Sequence, residues 1–274
     1  MRELNDGTTI PDIGFGTYPL RGEQGADAVV SALEIGYRLI DTAVNYGNED
    51  AVGQGIARSD VAREDIVVTT KLPGRDHGYD ETLASFDRSI EALGLDTIDL
   101  YLIHWPNPSV DKFVDTWRAM VQLKESGRAR SIGVSNFTPE FLTRIGDATG
   151  VLPAVNQVEL HPFFPQVELR AFHAEHGIVT EAWSPLGKRA PVKEAEPVTT
   201  AAAAHDVTPA QVVLRWHQQI GSVPIPKSGD PARQRENFDI AGLTLTDDEV
   251  AAITALGRPD GRLFDGDPNT HEEM

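Results

Sequence analysis

The chain has 274 residues and 40% hydrophobic content, enough for a substantial core, with 42 acidic against 24 basic residues and a formal charge of −18. That charge disfavours a general nucleic-acid or anionic-membrane surface, since both need net positive patches. The absence of cysteine excludes a disulfide framework, a thiol nucleophile and a thiolate zinc site; residues 1–10 lack an apolar leader and no run reaches membrane-spanning length, which points to a cytoplasmic protein.

Along the chain, Leu4 to Ile10 carries Asp6-Gly7 between short flanks, a hairpin signal, placed to plug the bottom of the fold. Strand and helix patterns then alternate. Short apolar strands at 13–16, 39–41, 66–71, 98–104, 132–135, 154–159, 179–183 and 223–226 are predicted. Amphipathic stretches separate them, at 26–35, 48–59, 79–93, 112–126, 139–149, 166–176, 209–220 and 231–238. The run Ala201 to Ala204 reads as helix interior. Thr246-Asp247-Asp248-Glu249 opens a last helix, with acids suited to its first turn. Residues 257–274 read as loop, rich in Gly, Pro and Asp. Eight strands and eight helices in strict alternation predict an α/β fold, a (β/α)8 TIM barrel in one domain spanning residues 1–274. The open doubly wound alternative carries G-x-G-x-x-G after its first strand; here Gly14-Phe15-Gly16-Thr17-Tyr18 is followed by Pro19.

Asp41, Lys71 and His104 each close one of the apolar runs, and Tyr46 follows in the loop after Asp41. Buried parallel strands deliver all four side chains at the same strand ends. Asp41, Lys71 and His104 lie 30 and 33 residues apart, and one unit of such a barrel takes roughly 31 residues. A carboxylate, a phenol, an ammonium and an imidazole therefore gather at one barrel mouth. A phenol of ordinary pKa, about 10, donates poorly near neutrality. A neighbouring ammonium favours the phenolate and lowers that pKa by about 1 to 3 units at close contact. Asp41 would keep Lys71 charged, and His104 would hold the carbonyl oxygen of a substrate. If the reaction is carbonyl reduction, a nicotinamide cofactor is implied as the hydride source, because no side chain supplies hydride. Read singly, each residue has a plainer role: Tyr46 as a half-buried loop aromatic, Asp41 as a turn cap, His104 as a core histidine.

The same residues stand inside longer motifs. They are Gly36-Tyr37-Arg38-Leu39-Ile40-Asp41-Thr42-Ala43, Tyr46-Gly47-Asn48-Glu49, Thr70-Lys71-Leu72 and Leu100-Tyr101-Leu102-Ile103-His104-Trp105-Pro106. Ile132-Gly133-Val134-Ser135-Asn136-Phe137, Asn156-Gln157-Val158-Glu159, Pro224-Ile225-Pro226-Lys227-Ser228 and Arg233-x-x-Glu236-Asn237 come after them in order. On these the sequence resembles the aldo-keto reductase family over nearly its whole length. Through Ala154-Val155-Asn156-Gln157, Glu196-Pro197-Val198 and Thr208-Pro209-Ala210-Gln211 it is most similar to the bacterial 2,5-diketo-D-gluconate reductase branch.

The resemblance implies a monomeric, NADPH-dependent oxidoreductase without a Rossmann domain, reducing small aldehydes, ketones or keto-sugars. It implies Tyr46 as general acid, tuned by Asp41, Lys71 and His104. Ser135, Asn136 and Gln157 would bind the nicotinamide carboxamide, and Trp183 would stack on its ring. Leu186 and Gly187 would lie along the pyrophosphate, with Thr17 and Ser184 also against the cofactor. Lys227, Ser228 and Arg233 would take the 2′-phosphate, and Glu236 and Asn237 the adenine. Tyr18, Trp105 and His104 would face the substrate.

Three departures from the family carry expectations. Gly229-Asp230 precede Arg233 where Val or Thr is usual, so an acid beside the 2′-phosphate should make NADH use better than usual. Pro73 stands where Trp is frequent, which predicts a wider pocket. The tail after Gly257 is shorter than in animal members, which predicts an open mouth. His173 and His176 have no further ligand pair, so no metal site is expected. The competing function is a redox-sensing module that binds NADPH without turnover, as the potassium-channel β-subunit relatives do.

Overall fold

The computed structural model describes residues 1–264 and 266–274. Two strands, β1 (Arg2–Glu3) and β2 (Thr9–Ile10), pair antiparallel around a turn in which Gly7 has φ 83°. Leu4 and Ile10 from this hairpin pack with Leu39, Leu100, Ala154 and Val223, which closes the bottom of a barrel.

The barrel wall consists of β3 (Phe15–Gly16), β4 (Leu39–Asp41), β5 (Val67–Leu72), β6 (Ile98–Ile103), β7 (Ala129–Ser135), β8 (Val155–Glu159), β9 (Val179–Trp183) and β10 (Ser222–Ile225). These strands are neighbours in chain order and all their pairings are parallel. The two ends of the sheet meet: the Gly14 and Gly16 N–H groups donate to the carbonyls of Pro224 and Pro226, each at 3.0 Å. Proline cannot donate to a ladder, but at this seam its carbonyl is what is needed. Closure leaves the sheet without an exposed edge.

Among the described residues ten helices surround the wall: α1 (Gly22–Ile35), α2 (Glu49–Arg58), α3 (Tyr79–Leu93), α4 (Phe113–Glu125), α5 (Pro139–Thr149), α6 (Val167–Glu175), α7 (Glu196–His205), α8 (Pro209–Gln219), α9 (Pro231–Phe238) and α10 (Asp247–Thr254). The alanine run lies in α7, which precedes α8 in the connection from β9 to β10. Thr208 with Gln211 and Thr246 with Glu249 form capping boxes that start α8 and α10. No described helix is long and apolar enough to cross a membrane.

Side chains alternate across each strand. Tyr101 and Ile103 of β6 join Phe86, Trp117 and Ile132 in the layer beneath the helices. Leu100 and Leu102 face the other way and meet Leu39, Val155 and Val223 inside the barrel. Two residues further along β4, β8 and β9 from Leu39, Val155 and Val179, the same inward face presents Asp41, Gln157 and Glu181. Lys71 shares the inward face of β5 with Val67. The apolar filling thus gives way to a polar layer at the C-terminal strand ends.

Helices α2 and α3 approach closely because Gly53 has no side chain; a Cβ there would lie 2.1 Å from the Leu93 carbonyl oxygen. Gly53→Ala should therefore push α3 away and cost about 1–3 kcal/mol, read as a lower urea midpoint. An unchanged midpoint would refute that packing.

Candidate active site

At the centre of the polar layer, the Lys71 ammonium donates to both Asp41 carboxylate oxygens, at 2.7 and 2.8 Å, and to the Thr42 carbonyl at 2.9 Å. It lies 3.5 Å from the Tyr46 hydroxyl. The short turn Val44–Tyr46 directly after β4 brings the phenol there. Lys71 is wholly buried, which an ammonium tolerates only when its protons are matched by acceptors. Burial opposes its charge, but Asp41 and Tyr46 outweigh that and raise its pKa. The Tyr46 and His104 rings meet edge to face at 5.7 Å, and Tyr18 tilts against Tyr46 at 5.1 Å.

The phenol corrects one expectation. Its pKa is not lowered but pushed up to about 12, by burial first, with Lys71 pulling down and Asp41 pushing up. Most of the ammonium's field is already taken by Asp41, so it cannot offset the loss of water around a phenolate. Tyr46 therefore keeps its proton throughout the neutral range.

The floor beside this group is built by Gln157, whose amide nitrogen donates to Asp41 Oδ2 at 2.8 Å and to Glu181 Oε2 at 2.9 Å. Glu181 is fully buried, and its carboxyl is pushed up to about 7, chiefly by burial and then by the Asp41 charge. Asn136, at φ 63°, uses the left-handed conformation that asparagine tolerates. Its amide donates to the His104 carbonyl at 3.0 Å, and its oxygen accepts from the Trp183 indole at 2.8 Å. Ser135 donates to the Gln157 carbonyl at 2.7 Å, so it braces the floor from behind.

A cavity of ≈ 760 Å³ opens above the floor. Of the residues singled out by sequence, Thr17, Tyr18, Asp41, Tyr46, His104, Trp105, Asn136, Gln157, Trp183, Ser184, Leu186 and Lys227 line it. Lys71 sits beneath, while Gly187, Ser228, Arg233, Glu236 and Asn237 are outside its wall. The last four belong to the loop after β10 and to α9. There the Asp230 carboxylate caps α9, accepting from the Ala232 N–H at 2.9 Å, and lies 3.9 Å from the exposed Arg233. Among the described residues no three His, Asp or Glu side chains converge as metal ligands. His173 is instead taken up by Asn156 and Thr180 in the core.

The sequence did not reveal that Lys188 and Lys193 join Lys227 along the cavity, nor that the tail reaches it. The tail borders the mouth. Phe264 and Glu273 line the cavity, and Phe264 lies 5.8 Å from the Trp183 ring. The Asn107 amide clamps the Glu273 backbone from both sides, at 2.5 and 3.1 Å. The Glu273 carboxylate comes within 3.1 Å of His104 Nδ1, a close contact rather than an aligned hydrogen bond. Burial works against the Glu273 charge, but His104 holds its pKa down. Pro73 is not among the residues that line the cavity; it leads into the turn Gly74–Asp76.

The Aldo/keto reductase family model matches residues 12–258. The chain is 58% identical over 271 residues to the 2,5-diketo-D-gluconic acid reductase B of a Corynebacterium species, covering 99% of this chain and 97% of that protein. It also resembles a crystal structure of an aldo/keto reductase from Brucella melitensis, with TM-score 0.89 and 52% identity over 93% of this chain and 98% of that one. A variant of the protein Gox0644, solved in complex with NADPH, superimposes with TM-score 0.94 at 47% identity, over 98% and 97% of the two chains.

Glu181 gives the site a pH signature in stability. Its carboxyl is raised from 4.5 to about 7 in the folded chain, so its contribution is whole below the ordinary glutamate range and is lost as pH rises through about 7. The stability of wild type minus that of Glu181→Gln, measured by denaturation at each pH, should fall between about pH 5 and 8. A difference that stays level across that window rules the shift out.

Proposed function

The chain belongs to the aldo/keto reductase family, and on that premise we propose that it reduces small aldehydes, ketones or keto-sugars with NADPH, Tyr46 serving as the proton donor. The observation that carries this reading is the wholly buried Lys71, held between Asp41 and the Tyr46 hydroxyl below a cavity open to a substrate.

The residues present suit a dinucleotide. On a chain of charge −18, three lysines, Lys188, Lys193 and Lys227, face one cavity, the local positive field that a pyrophosphate needs. Both N–H groups of the Gln157 amide are spent on carboxylates, so its oxygen remains to accept from a carboxamide. The indole nitrogen of Trp183 is anchored on Asn136, which fixes the ring at the cavity wall. NADPH supplies hydride when bound.

The protein's own part is acid catalysis and orientation. His104 holds the carbonyl oxygen of the substrate at the mouth. Tyr46 gives its proton to that oxygen as negative charge grows there, and Lys71 stabilises the phenolate that remains. Asp41 keeps Lys71 in place and charged. A phenol of pKa about 12 remains a proton donor across neutral pH, so the reductive direction is supplied with its acid at all times. The similarity to a 2,5-diketo-D-gluconic acid reductase makes keto-sugar acids the first substrates to try.

Tyr46→Phe should lower turnover about 100- to 10,000-fold while NADPH still binds, followed by NADPH absorbance on a panel from glyoxals to 2,5-diketo-D-gluconate. Near wild-type turnover in that variant would falsify the assignment; tight NADPH binding without turnover in the wild type would favour a redox sensor. At the rim, Asp230→Thr keeps a capping oxygen for α9 and removes one negative charge beside Arg233. It should shift the ratio of NADPH to NADH affinity about two- to fivefold toward NADPH, and an unchanged ratio would place Asp230 away from the 2′-phosphate.

A further inference from the structure

We infer that Glu181 is a positioning residue which, acting through Gln157, makes the site discriminate between oxidised and reduced nicotinamide. This rests on the proposed cofactor.

Two carboxylates compete for one amide. Asp41 and Glu181 take both N–H groups of Gln157, at 2.8 and 2.9 Å. Turning the amide over would set its oxygen against both acids, so one orientation is imposed. Gln157 lines the cavity and Glu181 lies wholly buried behind it. The second Glu181 oxygen, Oε1, is buried and has no hydrogen-bond partner among the described residues. An acid so placed costs the fold desolvation that an apolar residue would spare, and proton donation by Tyr46 makes no direct use of it.

Its charge has a use at the cofactor. A nicotinamide ring is cationic when oxidised and neutral when reduced, so a carboxylate below the floor attracts only the oxidised form. The charged groups facing Glu181 are Asp41 from β4 and Lys71 from β5; its register neighbours, Gln157 on β8 and Val223 on β10, carry no charge. Lys71 is already paired with Asp41, and Glu181 makes no salt bridge of its own among the described residues, in keeping with its raised pKa of about 7. Binding of the cation favours loss of the Glu181 proton, and by reciprocity loss of that proton tightens the cation.

The test titrates NADP+ and NADPH into wild type, Glu181→Gln and Glu181→Leu by tryptophan fluorescence, from about pH 5.5 to 8.5, a window spanning the ionisation. The ratio Kd(NADPH)/Kd(NADP+) is the readout, because both cofactors carry the same 2′-phosphate and its ionisation cancels. In wild type the ratio should rise with pH, about tenfold for each unit by which NADP+ lowers the Glu181 pKa. Glu181→Gln keeps an acceptor for Gln157 without the charge, so its ratio should be level. Glu181→Leu leaves one Gln157 N–H unpaired and should weaken both cofactors several-fold. A level ratio in wild type, or the same slope in Glu181→Gln, overturns the inference while leaving the reductase intact. Binding of neither cofactor overturns the reductase proposal and this inference with it.

Discussion

A wholly buried ammonium fixes the rest of this structure. Lys71 remains charged inside the barrel only because Asp41 offers both oxygens and Thr42 a carbonyl, all within 2.9 Å. Removing one partner of such a pair strands the other charge out of water, at a cost of about 3–5 kcal/mol. The strand ends of β4 and β5 must therefore be held to within fractions of an ångström, and the closed ladder of the barrel does this. The same pair sets the phenol: Tyr46 meets an ammonium whose field is already engaged, so burial decides its pKa.

The fold was legible because its period is simple. Alternation along each strand separates Leu100 and Leu102 from Tyr101 and Ile103, and one barrel unit of roughly 31 residues brings Asp41, Lys71 and His104 into one ring. Both patterns are local or strictly repeated, so a sequence can show them. The helices were legible for the same reason, with α7 announced by its alanines.

What stayed hidden depends on contacts between distant parts of the chain. Nothing in the tail, rich in Gly, Pro and Asp, says that Glu273 reaches His104; the clamp that brings it there is Asn107, 166 residues earlier. The tail's place at the mouth was missed for this reason: chain length limits how far a tail extends, not where it docks. Lys188 and Lys193 were invisible as a cluster with Lys227, since only the loop after β9 brings them to one cavity. The direction of the Tyr46 shift was not legible either, because sequence reveals which charges are neighbours but not how much water they have lost.

Charge is then sorted by depth. Asp41 at the cavity floor and Glu181 buried behind it are bridged by Gln157, and the exposed lysines line the cavity above. A dinucleotide laid along that cavity would meet cations at its phosphates and anions behind its redox ring. The first arrangement favours both oxidation states alike, because the phosphates do not change on hydride transfer. The second cannot, because only the ring changes charge. On the inferred role, Glu181, the acid kept where it is costly to ionise, is the part of that second arrangement whose influence on the redox state changes with pH.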